Sequence, residues 1–107
     1  MSKPQPIAPN VMASAAEVLR AVAHPLRLRI LELMEDRHEH NVGEIQEHLG
    51  VRQSIASTQL ALLRDRGVLG ARRDGVQVYY SVINPAVLTL LGCIRKHEDS
   101  FVRRRYT

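Results

Sequence analysis

The first half of the chain carries apolar residues at helical spacing. One apolar face predicts a first helix and comprises Val11, Ala15, Val18, Leu19 and Val22. Asn10 can cap this helix, and His24 with Pro25 interrupts it. Pro25 suits the first turn of a second helix, "PLRLRILELMED". That helix is apolar around most of its circumference, which predicts a central, buried position.

Two further helices are separated by a glycine. Asn41 and Glu44 have the spacing of a capping box at the start of a third helix, roughly residues 42–49. Gly50 can end that helix in a left-handed conformation. A fourth helix is predicted at about residues 53–66, where Gly67 stops it.

The periodicity then changes to the alternation of a strand. "VLGARR" leads into the dipeptide Asp74-Gly75, which is typical of hairpin turns. The alternating apolar positions that follow are Val76, Val78, Tyr80 and Val82. Asn84 and Pro85 open a last helix as cap and first-turn residue. The predicted inward face of this helix is Val87, Leu90, Leu91, Ile94 and Phe101.

These elements predict a mainly α fold with a β-hairpin wing, a winged helix-turn-helix in the order ααααββα. The first and last helices flank the other elements. Both are apolar along one side, and so short a chain has little other surface to cover them. We therefore expect a homodimer that forms through the first and last helices.

The fourth helix changes character along its length. In "VRQSIASTQLALLRDRGVL", residues 51–69, a small polar half precedes a leucine-rich half. The second helix of a helix-turn-helix enters the DNA major groove with its N-terminal end first, where such polar side chains reach base edges and phosphates. The predicted contacts on this helix are Arg52, Gln53, Ser54, Ser57, Thr58 and Gln59. On the hairpin, Arg72, Arg73 and Gln77 are predicted to lie along the backbone or the minor groove.

The distribution of charge agrees with a polyanionic partner. Residues 1–51 hold five Lys and Arg against seven Asp and Glu, whereas residues 52–107 hold ten against four. The alternative is a charged tail, since "RRR" at 103–105 supplies half of the excess. The length of 107 residues suits one domain. We expect residues 1–9 to form a flexible N-terminal arm and residues 10–107 to form the DNA-binding and dimerisation domain.

Several functional classes are disfavoured by what the chain does not contain. No apolar run approaches the length of a membrane span, and the N-terminus has no secretion signal. The single cysteine, Cys93, fits the reducing cytoplasm. We find no phosphate loop, dinucleotide fingerprint, zinc-protease motif or nucleophile elbow, and we predict neither an enzyme nor a cofactor.

The chain resembles the ArsR/SmtB family of small dimeric winged-helix repressors. The matching segments are "LRAVAHPLRLRILELM", "GEIQEHLGVRQSIASTQLALLRDRGVL" and "RRDGVQVYYSV", within roughly residues 19–82. The resemblance implies a homodimer that binds double-stranded operator DNA and is released by an inducer, which the sequence does not name. Arg52 stands where the family often has a serine cap, and Thr58 and Gln59 stand where two histidines are common.

The sensor sites that the resemblance implies have lost their ligands. Asn41 and Gly43 occupy the positions of a Cys-x-Cys pair. The positions of a second ligand set are Asn84, Ala86, His97 and Ser100, of which only His97 could ligate. We therefore predict no metal site.

Three alternatives remain open. Cys93 and His97 are four residues apart on one helix face, so two such pairs across a two-fold axis could bind zinc, or Cys93 could be an oxidisable thiol. The histidines of "HEH" at 38–40, with His48, form a weaker metal candidate. A winged-helix protein-interaction module is the third alternative, for which apolar or acidic residues on the fourth helix would be expected.

Overall fold

The computed structural model describes residues 3–102. Within this range the helices are α1 Pro9–Val22, α2 Pro25–Leu33, α3 Val42–Leu49, α4 Gln53–Asp65, α5 Ala86–Lys96 and α6 Glu98–Phe101. A 3₁₀ turn, Met34–Asp36, follows α2. The strands are β1 His40–Asn41, β2 Leu69–Asp74 and β3 Gln77–Val82. This is the predicted order of helices and hairpin, with a short strand and a short helix added.

Helix α2 lies at the centre of the core, as its apolar circumference predicts. Ile30 and Leu31 are fully buried, and Ile45 of α3 and Leu60 of α4 are buried with them. The other buried members of this cluster are Ala21, Val22, Met34, Leu63, Val68, Leu69, Val87 and Leu91. Because α3 and α4 both pack on α2, the core fixes the angle between the two helices of the helix-turn-helix.

The sheet has three antiparallel strands in the order β1-β3-β2. The strand β1 was not predicted, because two residues are too few to show alternation. It pairs His40 with Tyr80 and so joins the hairpin to the start of α3. The hairpin loop is Gly75-Val76, one residue later than predicted, with φ +64 at Gly75. Val76 is therefore not an inward strand position, and its side chain is 92% exposed.

Most of the predicted helix ends are confirmed. His24 Nδ1 accepts a hydrogen bond from the backbone N–H of Leu26 at 3.1 Å, which caps α2. Asn41 and Glu44 form both bonds of a capping box, and Gly50 ends α3 with φ +66. The prediction for Asn10 was wrong: α1 begins at Pro9, two residues earlier than a cap at Asn10 predicts, and has no side-chain cap.

The last helix differs from its prediction at both ends. It begins at Ala86, one residue later than predicted, although Asn84 Oδ1 does accept a hydrogen bond from Ala86 N at 3.2 Å. It is also interrupted at His97, whose φ of −122° and ψ of 41° lie outside the helical range. Phe101 consequently lies on a separate four-residue helix and is 60% exposed rather than inward.

Helix α1 leaves most of its apolar face in contact with solvent. Only Ala21 and Val22, at its C-terminal end, are buried. The exposed apolar residues on or beside it are Ile7, Val11, Met12 and Leu19, each at least half exposed. None of the helices described between residues 3 and 102 is long and apolar enough to cross a membrane.

Candidate nucleic-acid interface

Helix α4 divides into a buried side and an exposed ridge. Ala56, Leu60 and Leu63 are buried against the core. Ser54, Thr58 and Ala61, which follow one another at the i+4 and i+3 spacing of a helix ridge, are all exposed. Gln53 is exposed and Ser57 half-buried beside this ridge. The small side chains thus form a surface that a base-pair edge can approach closely.

The N-terminus of α4 is not capped by a side chain. Arg52 occupies the N-cap position with an extended backbone (φ −66°, ψ 151°) and makes no side-chain cap hydrogen bond. The first N–H groups of a helix have no intrahelical partner, and the helix dipole favours an anion beside them. An exposed cationic residue at this position suits a phosphate group of DNA.

Thr58 and Ser54 are joined within the ridge. The Thr58 hydroxyl donates to the backbone carbonyl of Ser54 at 2.8 Å. Since this bond uses the hydroxyl hydrogen, Thr58 retains a lone pair and a methyl group for a ligand. In the major groove such a group suits a hydrogen-bond donor or the methyl group of thymine.

Gln59 is placed differently from the rest of the predicted set. It lies on the side of α4 that carries buried Ala56 three residues before it and buried Leu63 four residues after it. Its side chain is half-buried, and its Oε1 accepts a hydrogen bond of 2.8 Å from Arg27 Nε. The amide oxygen that would pair with adenine is therefore already engaged.

The two arginines of the wing have unequal surroundings. Arg72 donates to Glu39 through Nε and Nη2, each at 2.9 Å, and its guanidinium lies 5.0 Å from the centre of the Tyr79 ring. The hydrogen bonds from Arg72 hold the pKa of Glu39 below its usual value, against a smaller opposing effect of desolvation. Arg72 is thus partly neutralised by a carboxylate on the loop before β1.

Arg73 and Gln77 extend closer to the tip of the wing. Arg73 pairs with Val78 and Gln77 with Asp74 in the strand register, and all of these side chains except Val78 are exposed. Among residues 3–102, no ion pair involves Arg73. Arg73 is therefore better placed than Arg72 to meet a phosphate.

The burial of His40 between two carboxylates was not predicted from the sequence. His40 is 8% exposed and lies between two carboxylates. Its Nε2 is 2.9 Å from Asp36 Oδ2, and its Nδ1 is 3.2 Å from Glu44 Oε2. From the sequence, His40 was assigned only to the weaker metal candidate formed by the histidines at 38–40 and His48. The sequence did contain a signal for this arrangement, because Asp36 lies four residues before His40 and Glu44 lies four residues after it.

The candidate sensing residues lie at the C-terminal end of α5. Cys93 is exposed, and its carbonyl accepts a hydrogen bond from His97 N at 3.0 Å. Within residues 3–102, no group of three or more His, Cys, Asp and Glu side chains is arranged to hold a metal ion. The basic run at 103–105 lies outside the described residues.

Comparisons with known proteins agree with this geometry. The family model described as "Bacterial regulatory protein, arsR family" matches residues 24–69. An uncharacterized HTH-type transcriptional regulator of Mycobacterium tuberculosis is 44% identical over 82 residues, covering 76% of this chain and 71% of that protein. The crystal structure of the transcriptional repressor PagR of Bacillus anthracis is 35% identical, with a TM-score of 0.70 over 79% of this chain and 97% of that one.

A further solved structure covers the whole chain. It is a homodimeric winged helix-turn-helix DNA-binding domain from Mycobacterium bovis, described as a possible ArsR-family transcriptional regulator. It is 26% identical, with a TM-score of 0.72 over 100% of this chain and 98% of that one. The predicted winged-helix fold and the predicted class, a DNA-binding transcriptional regulator, are confirmed by these matches. The chain belongs to the arsR family of bacterial regulatory proteins.

Proposed function

We propose that this protein is a homodimeric repressor that binds an operator of dyad symmetry. Each α4 enters the major groove of one half-site, and each wing lies along the neighbouring backbone or minor groove. The half-sites are centred about 10 bp apart or a multiple of that distance. The protein acts on DNA in the cytoplasm and is not an enzyme.

The observation that carries this proposal is the exposed ridge of α4. Ser54, Thr58 and Ala61 leave room for a groove floor, while Arg52 brings a cation to the uncapped N-terminus. An interaction module would need an apolar or acidic surface here. The ridge has no acidic residue, and among residues 53–61 Ile55, 40% exposed, is the only large apolar residue that is exposed.

Dimerisation is supported by two exposed faces. The first is the apolar face of α1, which nothing in the described part of a single chain covers. The second is a row of small exposed residues on the side of α5 that faces away from the core: Ala86, Thr89, Gly92 and Cys93. Small side chains let two helices approach closely, and apolar side chains supply the energy of burial. The homodimeric Mycobacterium bovis structure supports the dimer, and the similarity to the transcriptional repressor PagR supports the repressor function.

The test of DNA binding is fluorescence anisotropy with the DNA upstream of the protein's own gene. We expect tight binding to this DNA, weaker binding to a shuffled duplex, and a steep loss of affinity as salt rises. Equal affinity for both duplexes would contradict the operator proposal. The same titration with added zinc or peroxide tests Cys93 and His97, and release by either reagent would assign them a sensing role.

The test of the dimer is analytical ultracentrifugation of two variants. Met12→Glu places a charge on the apolar face of α1. Gly92→Leu adds a large side chain at a position where a Cβ meets nothing within 4 Å in a single chain. Both variants should be folded monomers, whereas Glu47→Gln on α3 should remain dimeric. A dimer that survives both changes would place the interface elsewhere.

A further inference from the structure

Three helices meet at the side chain of Arg27. This residue lies in the first turn of α2 and is half-buried. Its Nε donates to Gln59 Oε1 of α4 at 2.8 Å, and its Nη1 donates to the backbone carbonyl of Ala21 near the end of α1 at 3.2 Å. No ion pair among residues 3–102 involves Arg27, so its engaged donors serve these neutral acceptors.

Each of the two hydrogen bonds has a structural consequence. Ala21 is buried, and its carbonyl is among the last four of α1, which have no intrahelical partner. Arginine has only donors, so it fixes the orientation of the Gln59 amide with the oxygen inward. The guanidinium is planar and rigid, so its bonds to Gln59 and to the Ala21 carbonyl hold the Gln59 side of α4 toward the end of α1.

We propose that Arg27 and Gln59 form a clamp that sets the rotation of α4 about its own axis relative to the end of α1. Gln59 is then a positioning residue rather than a reader of bases. This inference rests on the proposed function, because it assigns base contact to the ridge of Ser54 and Thr58. The clamp also connects α1, which carries the exposed apolar face proposed for dimerisation, with α4, which is proposed to enter the major groove.

The clamp predicts a distinctive loss of specificity. A residue that reads a base governs the preference at one operator position. A residue that sets the rotation of α4 governs the preference at every position that the ridge contacts. Removing the clamp should therefore flatten the whole base-preference profile while binding to shuffled DNA is retained.

The experiment is a double-mutant cycle with Arg27→Met, Gln59→Met and the combined variant, measured by anisotropy against the operator and a shuffled duplex. Each single variant should lose about tenfold in operator affinity, and the combined variant should lose about tenfold rather than about a hundredfold. Losses that multiply would overturn the clamp. A Gln59→Met profile altered at one base pair alone would also overturn it.

A charge-retaining variant separates the clamp from simple electrostatics and protects the test against misfolding. Arg27→Lys keeps the positive charge but loses the planar fork, so operator affinity should fall while the salt dependence stays unchanged. Arg29→Lys is the matched control, because Arg29 lies on the exposed side of α2 and, within residues 3–102, pairs only with Glu32, at 2.8 Å. Wild-type affinity in Arg27→Lys would overturn the clamp alone. Absence of operator binding by the wild type would overturn the proposed function, and the clamp's role with it.

Discussion

The Nε2 of His40 lies 2.9 Å from the Oδ2 of Asp36, and Glu44 faces the other ring nitrogen. Burial lowers the pKa of His40, but the hydrogen bonds to Asp36 and Glu44, together with the attraction of their negative charges, outweigh burial and raise the pKa of His40 above its ordinary value. A protonated ring donates to both carboxylates. A neutral ring turns one lone pair toward a carboxylate, so loss of the proton costs stability.

The free energy of unfolding should therefore depend on pH. Because the folded pKa of His40 is above its unfolded value, the stabilisation is fully present below about pH 6.5 and is lost as the pH rises through the folded pKa. Urea unfolding across this range measures the loss. The loss should disappear in His40→Gln and persist in His48→Gln, an exposed histidine. The same curve in the wild type and in His40→Gln would contradict the assignment.

The fold was largely predictable because its signals are local. The capping box at Asn41 and Glu44, the left-handed Gly50 and the apolar circumference of α2 each depend on a few consecutive residues. Some of the features that the sequence did not predict depend on contacts between distant segments. The pairing of β1 with β3 joins segments about 40 residues apart and has no periodic signature. The one-residue shift of the hairpin loop that exposes Val76 and the break at His97 are local, but neither interrupts the pattern of apolar residues.

Arg52 should have opposite effects on the stability of the fold and on DNA binding. A serine at an N-cap accepts a hydrogen bond from a free helical N–H, which arginine here does not do. Arg52→Ser should stabilise the fold by about 1 kcal/mol. It should also weaken DNA binding, with a salt slope shallower by about 0.9 for each phosphate contact removed. Thermal unfolding and anisotropy measure the two effects, and Arg52→Lys should show neither. A variant that gains stability without losing affinity would remove Arg52 from the interface.

The Glu39–Arg72 pair makes the wing arginines behave unequally. Glu39 holds the Arg72 guanidinium and adds a negative charge beside the proposed interface. Glu39→Gln should therefore strengthen binding to all DNA sequences, because it removes the nearer of the two carboxylates that pair with Arg72, the other being Asp74 at 3.9 Å. Arg73→Gln should weaken binding to all sequences and flatten the salt dependence. Glu98→Gln on α6, which changes the net charge as Glu39→Gln does, is the control. Weaker binding by Glu39→Gln would show that the pair holds the wing in its binding position.

The candidate site was predicted less completely than the fold, for the same physical reason. Composition identifies which side chains of α4 can bind DNA, and helical spacing identifies which of them face the core. Gln59 lies at the boundary of these two sets, and only the position of Arg27, 32 residues away, decides its orientation. The same holds for Arg72, whose partner Glu39 is 33 residues away. Pairings at such separations leave no pattern along the chain.

Arg37 offers a stability test that is independent of DNA. Within residues 3–102 it is the non-glycine residue with a positive φ, 66°, at the end of the 3₁₀ turn. A side chain in this conformation brings Cβ close to the following carbonyl oxygen, at a cost of about 1–2 kcal/mol that glycine avoids. Arg37 is exposed, so Arg37→Gly loses no buried contact.

The stabilisation gained by Arg37→Gly is reduced by the greater conformational freedom of glycine in the unfolded chain. We therefore expect a net stabilisation of about 0.5–1 kcal/mol by urea unfolding, with Arg37→Lys unchanged. Destabilisation by Arg37→Gly would show that the side chain makes a contact that outweighs the backbone cost.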